Sequence, residues 1–206
     1  MISGLLVASL ILVACASGNP NTTTYRDADE RSLFELPNEW NTYGADELAQ
    51  LSVVPFIPEL AGFPAITLIA FDGAAGRDLA NLTVDVTTSP YPIGAQLIRS
   101  IGPQSRDLVS RQTLALSAYD LTDVQGIQEI ESEDFSFGRQ YDGIRRFVGI
   151  TAEDGELEGA IYMLAVTNPD TTEIYSMAVG CSLACFERQR DEIFKVVDSW
   201  LVNTKR

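Results

Sequence analysis

The fold is decided by residues 128–180, which read QEIESEDFSFGRQYDGIRRFVGITAEDGELEGAIYMLAVTNPDTTEIYSMAVG. Apolar residues here either alternate with polar ones or form short unbroken runs, as in strands that are buried on one or both faces. Four such runs are present, at residues 128–138, 144–152, 157–167 and 173–180. They are separated by three turn signals, Asp142-Gly143, Asp154-Gly155 and Asn168-Pro169-Asp170. Turn residues between alternating runs predict hairpins, so the stretch predicts a four-stranded antiparallel meander.

An amphipathic helix is predicted directly after the meander, from about residue 185 to residue 201. The apolar residues of its stripe are Phe186, Ile193, Phe194, Val197, Trp200 and Leu201. Their spacing has the 3.6-residue period of a helix with one buried face. We expect this stripe to pack on one face of the sheet, where each large side chain contributes about 1.5–3 kcal/mol.

The first half of the chain predicts strands and one further helix. Residues 33–36 and 65–71 have strand patterns, and residues 82–87 alternate as a half-buried strand does. Residues 93–101 carry Ile93, Leu97, Ile98 and Ile101 at helical spacing, after two prolines and before Gly102-Pro103. Antiparallel strands with helices on their faces predict an α+β sandwich.

These elements, in this order, resemble the PsbP-like superfamily. The resemblance rests on Phe34–Trp40 (FELPNEW), the predicted central helix, the meander, and a closing helix that ends in Val197-Asp198-Ser199-Trp200. It covers most of residues 33–202 and implies an α/β/α sandwich around an antiparallel sheet. Founding members of the superfamily are extrinsic subunits of photosystem II, and relatives act as assembly factors or protein-binding modules. No family catalytic motif matches this chain, so the resemblance assigns no catalytic residue.

The N-terminus resembles the signal peptide of a bacterial lipoprotein. An uncharged apolar run from Ile2 to Ala14 closes on Leu12-Val13-Ala14-Cys15, which matches the lipobox. The run is too short to span a bilayer, which takes roughly 20 apolar residues, but it suits a secretory segment. The resemblance implies cleavage before Cys15 and acylation of that cysteine. The alternative is an ordinary signal peptide that is cleaved elsewhere. The missing basic residue before the run leaves open a true start upstream of Met1.

Three segments follow from this interpretation: a signal peptide at 1–14, a flexible tether at 15–30 and a PsbP-like domain at 31–206. Residues 16–30 are polar and lack apolar periodicity, as a spacer does. The mature protein is expected outside the cytoplasm, held to the membrane by lipid at Cys15.

Composition excludes several classes of function. The net charge of −15 argues against binding to nucleic acid, because the phosphates require Lys and Arg. The same charge argues against a domain that lies flat on an anionic membrane. The chain contains no histidine, which excludes Ser-His-Asp and Cys-His catalysis and His-ligated zinc. No cofactor is expected.

Cys181 and Cys185 are predicted to form a local disulfide. They are four residues apart in a chain whose signal directs it to an oxidising compartment. A turn or helix start at this spacing brings two Cα atoms within disulfide reach. A redox-active pair is the alternative, but the Cys-x-x-Cys spacing is absent.

Other polar groups have both a functional and a structural interpretation. Glu129, Glu131 and Glu133 would share one solvent face of a strand opposite Ile130, and a calcium site is the alternative. Arg145 and Arg146 would point to opposite faces of their strand, and one of them would pair with an acid on the neighbouring strand, with a ligand-anchoring arginine as the alternative. The loop Gly73–Arg77 is either a phosphate-binding loop or a plain turn. A last set of aromatic residues either lines a ligand groove or packs in the core, namely Trp40, Tyr43, Phe63 and Tyr91.

We consider three functions, in order of preference. The first is a membrane-anchored extracytoplasmic lipoprotein whose non-catalytic domain binds another protein, as a subunit or assembly factor of an envelope complex. The second is a lipoprotein that binds a small molecule or lipid, which needs a concave apolar pocket. The third is an enzyme that uses carboxylates alone, which needs two acids converging in a cleft.

Overall fold

The computed structural model describes residues 21–26, 31–48, 62–82, 85–118, 126–137 and 141–202. Cys15 and the predicted signal peptide lie outside these residues. Within them, no helix has the length and apolar character that crossing a bilayer requires.

The described residues contain ten strands and three α-helices. The strands are β1 (Thr22–Arg26), β2 (Ser32–Pro37), β3 (Asn41–Gly44), β4 (Ala65–Asp72), β5 (Ile93–Ser100), β6 (Ile127–Phe137), β7 (Tyr141–Thr151), β8 (Leu157–Thr167), β9 (Glu173–Ser182) and β10 (Leu201–Val202). The helices are α1 (Ala45–Leu48), α2 (Arg111–Ser117) and α3 (Leu183–Asp198). Short 3₁₀ helices lie at Leu79–Asn81 and Pro103–Leu108.

The strands form two antiparallel sheets. The larger has seven strands in the order β3-β4-β5-β9-β8-β7-β6, and the smaller has three in the order β1-β2-β10. The larger sheet consists of two groups of consecutive antiparallel strands, β3–β5 and β6–β9, which meet where β5 pairs with β9. The central strands β5, β8 and β9 are buried along nearly their whole length.

Each face of the seven-stranded sheet has its own apolar core. On one face, α3 and the small sheet pack over the central strands, and the cluster includes Phe34, Leu36, Phe186, Val197 and Trp200. On the other face, shorter elements cover the sheet and contribute Leu48, Val86 and Leu114. The predicted α+β sandwich around an antiparallel sheet is therefore confirmed, with α3 as the one long helix among the described residues.

The C-terminal meander and the closing helix are confirmed, but α3 ends at Asp198, so Trp200 lies after the helix and Leu201 lies in β10 with its side chain exposed. The strands β6 to β9 pair in sequence order, each antiparallel to the next. Gly155 has φ +86° in the turn between β7 and β8, as the Asp-Gly signal predicts. Asp142-Gly143 is not a turn, however, because both residues lie in β7 and Phe137 is paired with Tyr141. The connection therefore lies at residues 138–140, outside the described residues.

The prediction of a helix at residues 93–101 is wrong, because these residues form the central strand β5. β5 is covered on both faces, so its apolar residues need not alternate, and their spacing imitates a helical stripe. Gly94 shows how tightly this strand is packed, since a Cβ there would lie 2.3 Å from Cε2 of Phe71 and 2.5 Å from the carbonyl oxygen of Ala178.

Two other segments differ from the sequence prediction. Thr22–Arg26, inside the predicted tether, forms β1 and pairs with β2 from Thr22↔Pro37 to Arg26↔Leu33. This polar segment forms a strand because its backbone N–H and C=O groups are hydrogen-bonded to β2, although its side chains bury little surface. Residues 86–88 form a turn instead of a strand, because the Asp85 side chain accepts hydrogen bonds from the backbone N–H and hydroxyl of Thr87.

Candidate functional site

A furrow runs along the exposed side of α3, where the helix meets the turn after β2. Its first part is an open groove of about 770 Å³ lined by Glu35, Pro37, Glu39, Glu192, Lys195 and Val196, among others. A more polar groove of about 560 Å³ shares Glu39, Glu192 and Lys195 with it and continues along α3 past Arg188 and Asp191. The two grooves therefore form one continuous surface, which we call the α3 furrow.

Contacts between β2, its turn and α3 fix the walls of the furrow. The indole Nε1 of Trp40, which is buried, donates to Glu192 Oε1 at 3.1 Å. The hydroxyl of Ser199, just after α3, accepts from the backbone N–H of Glu35 at 2.9 Å. The opposite side of α3 is packed in the core through residues such as Ile193 and Val197, so both walls of the furrow belong to packed elements of the domain.

An aromatic ledge lies farther along the same face, between α3 and β7. The ring of Phe147 stacks on Phe186 at 5.0 Å between centroids, and Tyr162 stacks on Phe194 at 4.3 Å. Arg190 covers the ledge with its Cζ 5.1 Å from the Phe194 centroid. A guanidinium in this position is stabilised by the negative face of the ring.

Tyr162 connects the ledge to a charged pair at the end of α3. Its hydroxyl donates to Asp198 Oδ1 at 3.1 Å, and Arg145 lies 3.6 Å from the same oxygen. Burial raises the pKa of Tyr162 well above its ordinary value, and the negative charge of Asp198 is the second largest cause of this rise. The phenol therefore remains a hydrogen-bond donor at physiological pH.

Arg145 and Arg146 both pair with acids on β6, whereas the sequence predicts such a pair for one of them. Arg145 lies 2.8 Å from Glu133, and Arg146 lies 2.9 Å from Glu129. The acids do not share one face, because the register shifts between Glu129 and Glu131. Glu129 pairs with Val148 and Glu131 with Phe147, two neighbours that point to opposite faces. The prediction of one acidic face is wrong because of this bulge, although all three glutamates are exposed.

The disulfide between Cys181 and Cys185 is present. The two residues join the end of β9 to the first turn of α3 with a Cα–Cα distance of 5.9 Å. Both are buried in the core beneath α3, with exposures of 0% and 1%. The bond therefore fixes the angle at which the helix leaves the sheet.

The loop Gly73–Arg77 is a structural turn. Asp72, which is fully buried, accepts from the backbone N–H of Ala74 at 2.9 Å and lies 3.1 Å from Arg77 Nε. Burial raises the pKa of Asp72, and the Ala74 hydrogen bond and the Arg77 charge offset this effect only in part. Tyr43 donates its hydroxyl to the carbonyl oxygen of Arg77 at 3.0 Å and so ties the loop to β3.

The four aromatic residues considered as a groove do not converge. Trp40, Tyr43 and Phe63 are buried in three different core clusters, and Tyr91 is 43% exposed. Nor do the described residues contain a group of three or more carboxylates or cysteines placed to hold a metal ion.

Sequence reasoning missed two buried polar residues of β5. Arg99 is 2% exposed and donates to the carbonyl oxygens of Phe63 and Ser117 at 3.1 and 3.5 Å, and burial lowers its pKa. Gln96 is fully buried, and neither polar atom of its amide has a hydrogen-bond partner among the described residues. A helix at residues 93–101 would have placed both on its polar side, so only the strand assignment shows that they are internal.

Comparisons with known proteins identify the fold. No protein-family model and no curated protein sequence matches the chain. Cyanobacterial PsbP (CyanoP) from Synechocystis sp. PCC 6803 is similar in structure, with a TM-score of 0.53, 15% identity and coverage of 93% of this chain and 99% of that one.

Two further structures are less similar. LpqN, involved in cell envelope biogenesis of Mycobacterium tuberculosis, has a TM-score of 0.48 at 10% identity and covers 88% of this chain and 90% of its own. The Ran-binding protein Mog1p of Saccharomyces cerevisiae has a TM-score of 0.49 at 9% identity, with coverage of 88% and 95%. The likeness to CyanoP shows that the fold is PsbP-like, and at this identity it shows the fold alone.

Proposed function

We propose that this protein is an extracytoplasmic lipoprotein, anchored to the membrane by acylated Cys15, whose PsbP-like domain binds another protein without catalysing a reaction. In this proposal residues 1–14 are removed as a signal peptide, and the domain serves as a subunit or assembly factor of an envelope complex. The resemblance of the N-terminus to a lipobox supports the anchor. The resemblance to PsbP-like assembly factors supports the binding role by analogy of fold.

The observation that carries the binding role is the position of the α3 furrow beside the point where the chain enters the domain. Asn21 and Thr22 line the same groove as Glu39 and Lys195. Asn21 follows Cys15 by six residues. Six residues span at most about 20–22 Å, so a lipid at Cys15 would keep this end of the domain close to the bilayer. A partner held in the membrane would then meet the furrow first.

Charge favours a protein partner in the furrow over the bilayer itself. The chain carries a net charge of −15, which an anionic leaflet repels. The furrow presents acidic, basic and apolar side chains together, including Glu192, Lys195 and Val196. Such a mixture suits the polar rim and apolar centre of a protein interface.

The size of the groove favours a small-molecule ligand as the second candidate function. Its volume of about 770 Å³ falls in the range of roughly 300–1,000 Å³ that is typical of ligand sites. A partner protein would bury the whole furrow, whereas a small molecule would fill only the first groove.

The experiment that tests the binding role is photo-crosslinking in living cells. A photoreactive amino acid replaces Glu39, which is exposed and lines both grooves, and in a matched control it replaces the exposed Asp46 of α1. We expect a discrete protein adduct from position 39 and none from position 46, with the adduct reduced in a Cys15→Ser background. If neither position, or both positions equally, gives an adduct, the proposed partner site in the furrow is wrong.

A further inference from the structure

We infer that the outer edge of β6 is a docking site for an extended, basic segment of a partner protein, which adds an eighth strand to the large sheet. This inference goes beyond the proposed function and depends neither on the lipid at Cys15 nor on the α3 furrow.

β6 is a long strand at the end of the sheet. It has 11 residues and pairs with β7 on one side, and no other described strand pairs with its second side. An edge of this kind presents a row of backbone N–H and C=O groups to solvent, ready to pair with another chain. The opposite edge is different, because β3 has only four residues and runs directly into α1.

β6 buries very little of its own surface. Its side chains from Ile127 to Glu131 are all exposed, and the two isoleucines among them, Ile127 and Ile130, are 39% and 44% exposed. Within the described ranges, the strand is held by the ladder with β7 and by the ion pairs Arg111–Asp134, Arg145–Glu133 and Arg146–Glu129. A second strand on the outer side would complete the backbone pairing of β6.

The charge of β6 indicates which kind of segment would pair with its edge. The strand contains four acidic residues and no basic one, with the sequence IQEIESEDFSF. A second copy of β6 would place carboxylates opposite carboxylates, which is unfavourable, and two chains of charge −15 also repel each other. A basic segment would instead place Lys or Arg beside these acids.

Glu131 is the acid best placed to receive such a charge. It lies directly after the bulge, and it has no ion-pair partner among the described residues, unlike Glu129 and Glu133. From Glu131 to Phe137 the pairing with β7 runs through seven consecutive positions without a register shift. The bulge interrupts the edge just before Glu131. Residues 131–137 are therefore the part of the edge with which a partner strand can pair.

Hydrogen exchange with a model peptide tests the inference. The probe is an acetylated and amidated peptide, Lys-Val-Lys-Val-Lys-Val-Lys, added to the full chain in nonionic detergent. We expect the peptide to slow amide exchange within residues 127–137. A peptide with Glu in place of Lys should have no effect. The basic peptide N-methylated at alternate residues should also fail, because it keeps the charge but cannot form the ladder.

Two matched charge reversals test the role of Glu131. Glu131→Lys should weaken binding of the basic peptide by about three- to tenfold, the range expected when one exposed ion pair becomes a repulsion. Asp46→Lys makes the same charge change at the opposite edge and should alter affinity by less than about twofold. The inference is overturned if the peptide does not bind, if it protects another surface, if the N-methylated peptide binds equally well, or if both substitutions weaken binding equally.

Discussion

Replacing Gln96 with methionine should stabilise the protein. Gln96 lies in the middle of β5, paired with Ile69 and Met177, and is fully buried, and neither amide atom is hydrogen-bonded within the part of the chain that the structure describes. A buried polar group without a partner costs about 1–3 kcal/mol. Methionine has a similar length and no such group, so Gln96→Met should raise the free energy of unfolding by about 1–3 kcal/mol.

Urea unfolding, followed by the fluorescence of Trp40 and Trp200, measures this change. In a thermal melt the same gain should appear as a rise of about 2–4 °C in Tm for each kcal/mol. Gln96→Glu is the opposing control, because it places a charge at the same site. It should destabilise the protein by about 3–5 kcal/mol at neutral pH, and by less in acid, where the carboxyl is protonated. A loss of stability in Gln96→Met would refute the reasoning, since it would mean that the amide has partners in the folded protein.

Three further predictions concern the supports of the α3 layer and the loop after β4. Replacing Cys181 and Cys185 together with alanine should lower the free energy of unfolding by about 2 kcal/mol, since the bond closes a short loop, and the difference from wild type should shrink in excess reductant, which opens the wild-type disulfide and leaves the variant unchanged. Tyr162→Phe removes the donor to Asp198 and should lower the free energy of unfolding by about 1–2 kcal/mol in a urea titration. The pKa of Asp72 is raised in the folded state. At pH values between the ordinary pKa of an aspartate and this raised pKa, the folded protein keeps a proton that the unfolded chain has released. Wild type should therefore lose stability relative to Asp72→Asn across that interval, and a flat difference between the two proteins would contradict the raised pKa.

The elements that the sequence predicts correctly are those with local signals. The turns at Asp154-Gly155 and Asn168-Pro169-Asp170 separate runs of the right length, so the meander follows from neighbouring residues alone. The stripe from Phe186 to Val197 likewise predicts α3, because a single period explains its apolar residues. The pairing of Cys181 with Cys185 needs only their spacing at the start of that helix.

The elements that the sequence does not predict depend on distant parts of the chain. β5 is a strand because β4 and β9 pair on its two sides, and a strand that is covered on both faces has no alternation to recognise. β1 exists because β2 offers it a ladder, not because of its own apolar residues. The bulge at Ile130 changes the faces of the acids on β6, and nothing in an alternating sequence marks where an extra residue is inserted.

The candidate sites depend on such long-range contacts as well. The α3 furrow joins the turn at Glu39 to Glu192, which are far apart in sequence, and Trp40 is the residue that connects them. The β6 edge is visible only once the strand order is known, because sequence alone does not say which strand is last. In both cases the residue types are evident in the sequence, but their arrangement requires the fold.

Mass spectrometry of the N-terminal peptide of the mature protein, isolated from membranes, tests the central claim most directly. The account predicts a chain that begins at Cys15 and carries acyl groups on that cysteine. A mature chain that retains residues before Cys15, or that begins at Cys15 without lipid, would contradict the membrane anchor. It would also remove the reason for placing the α3 furrow beside the bilayer.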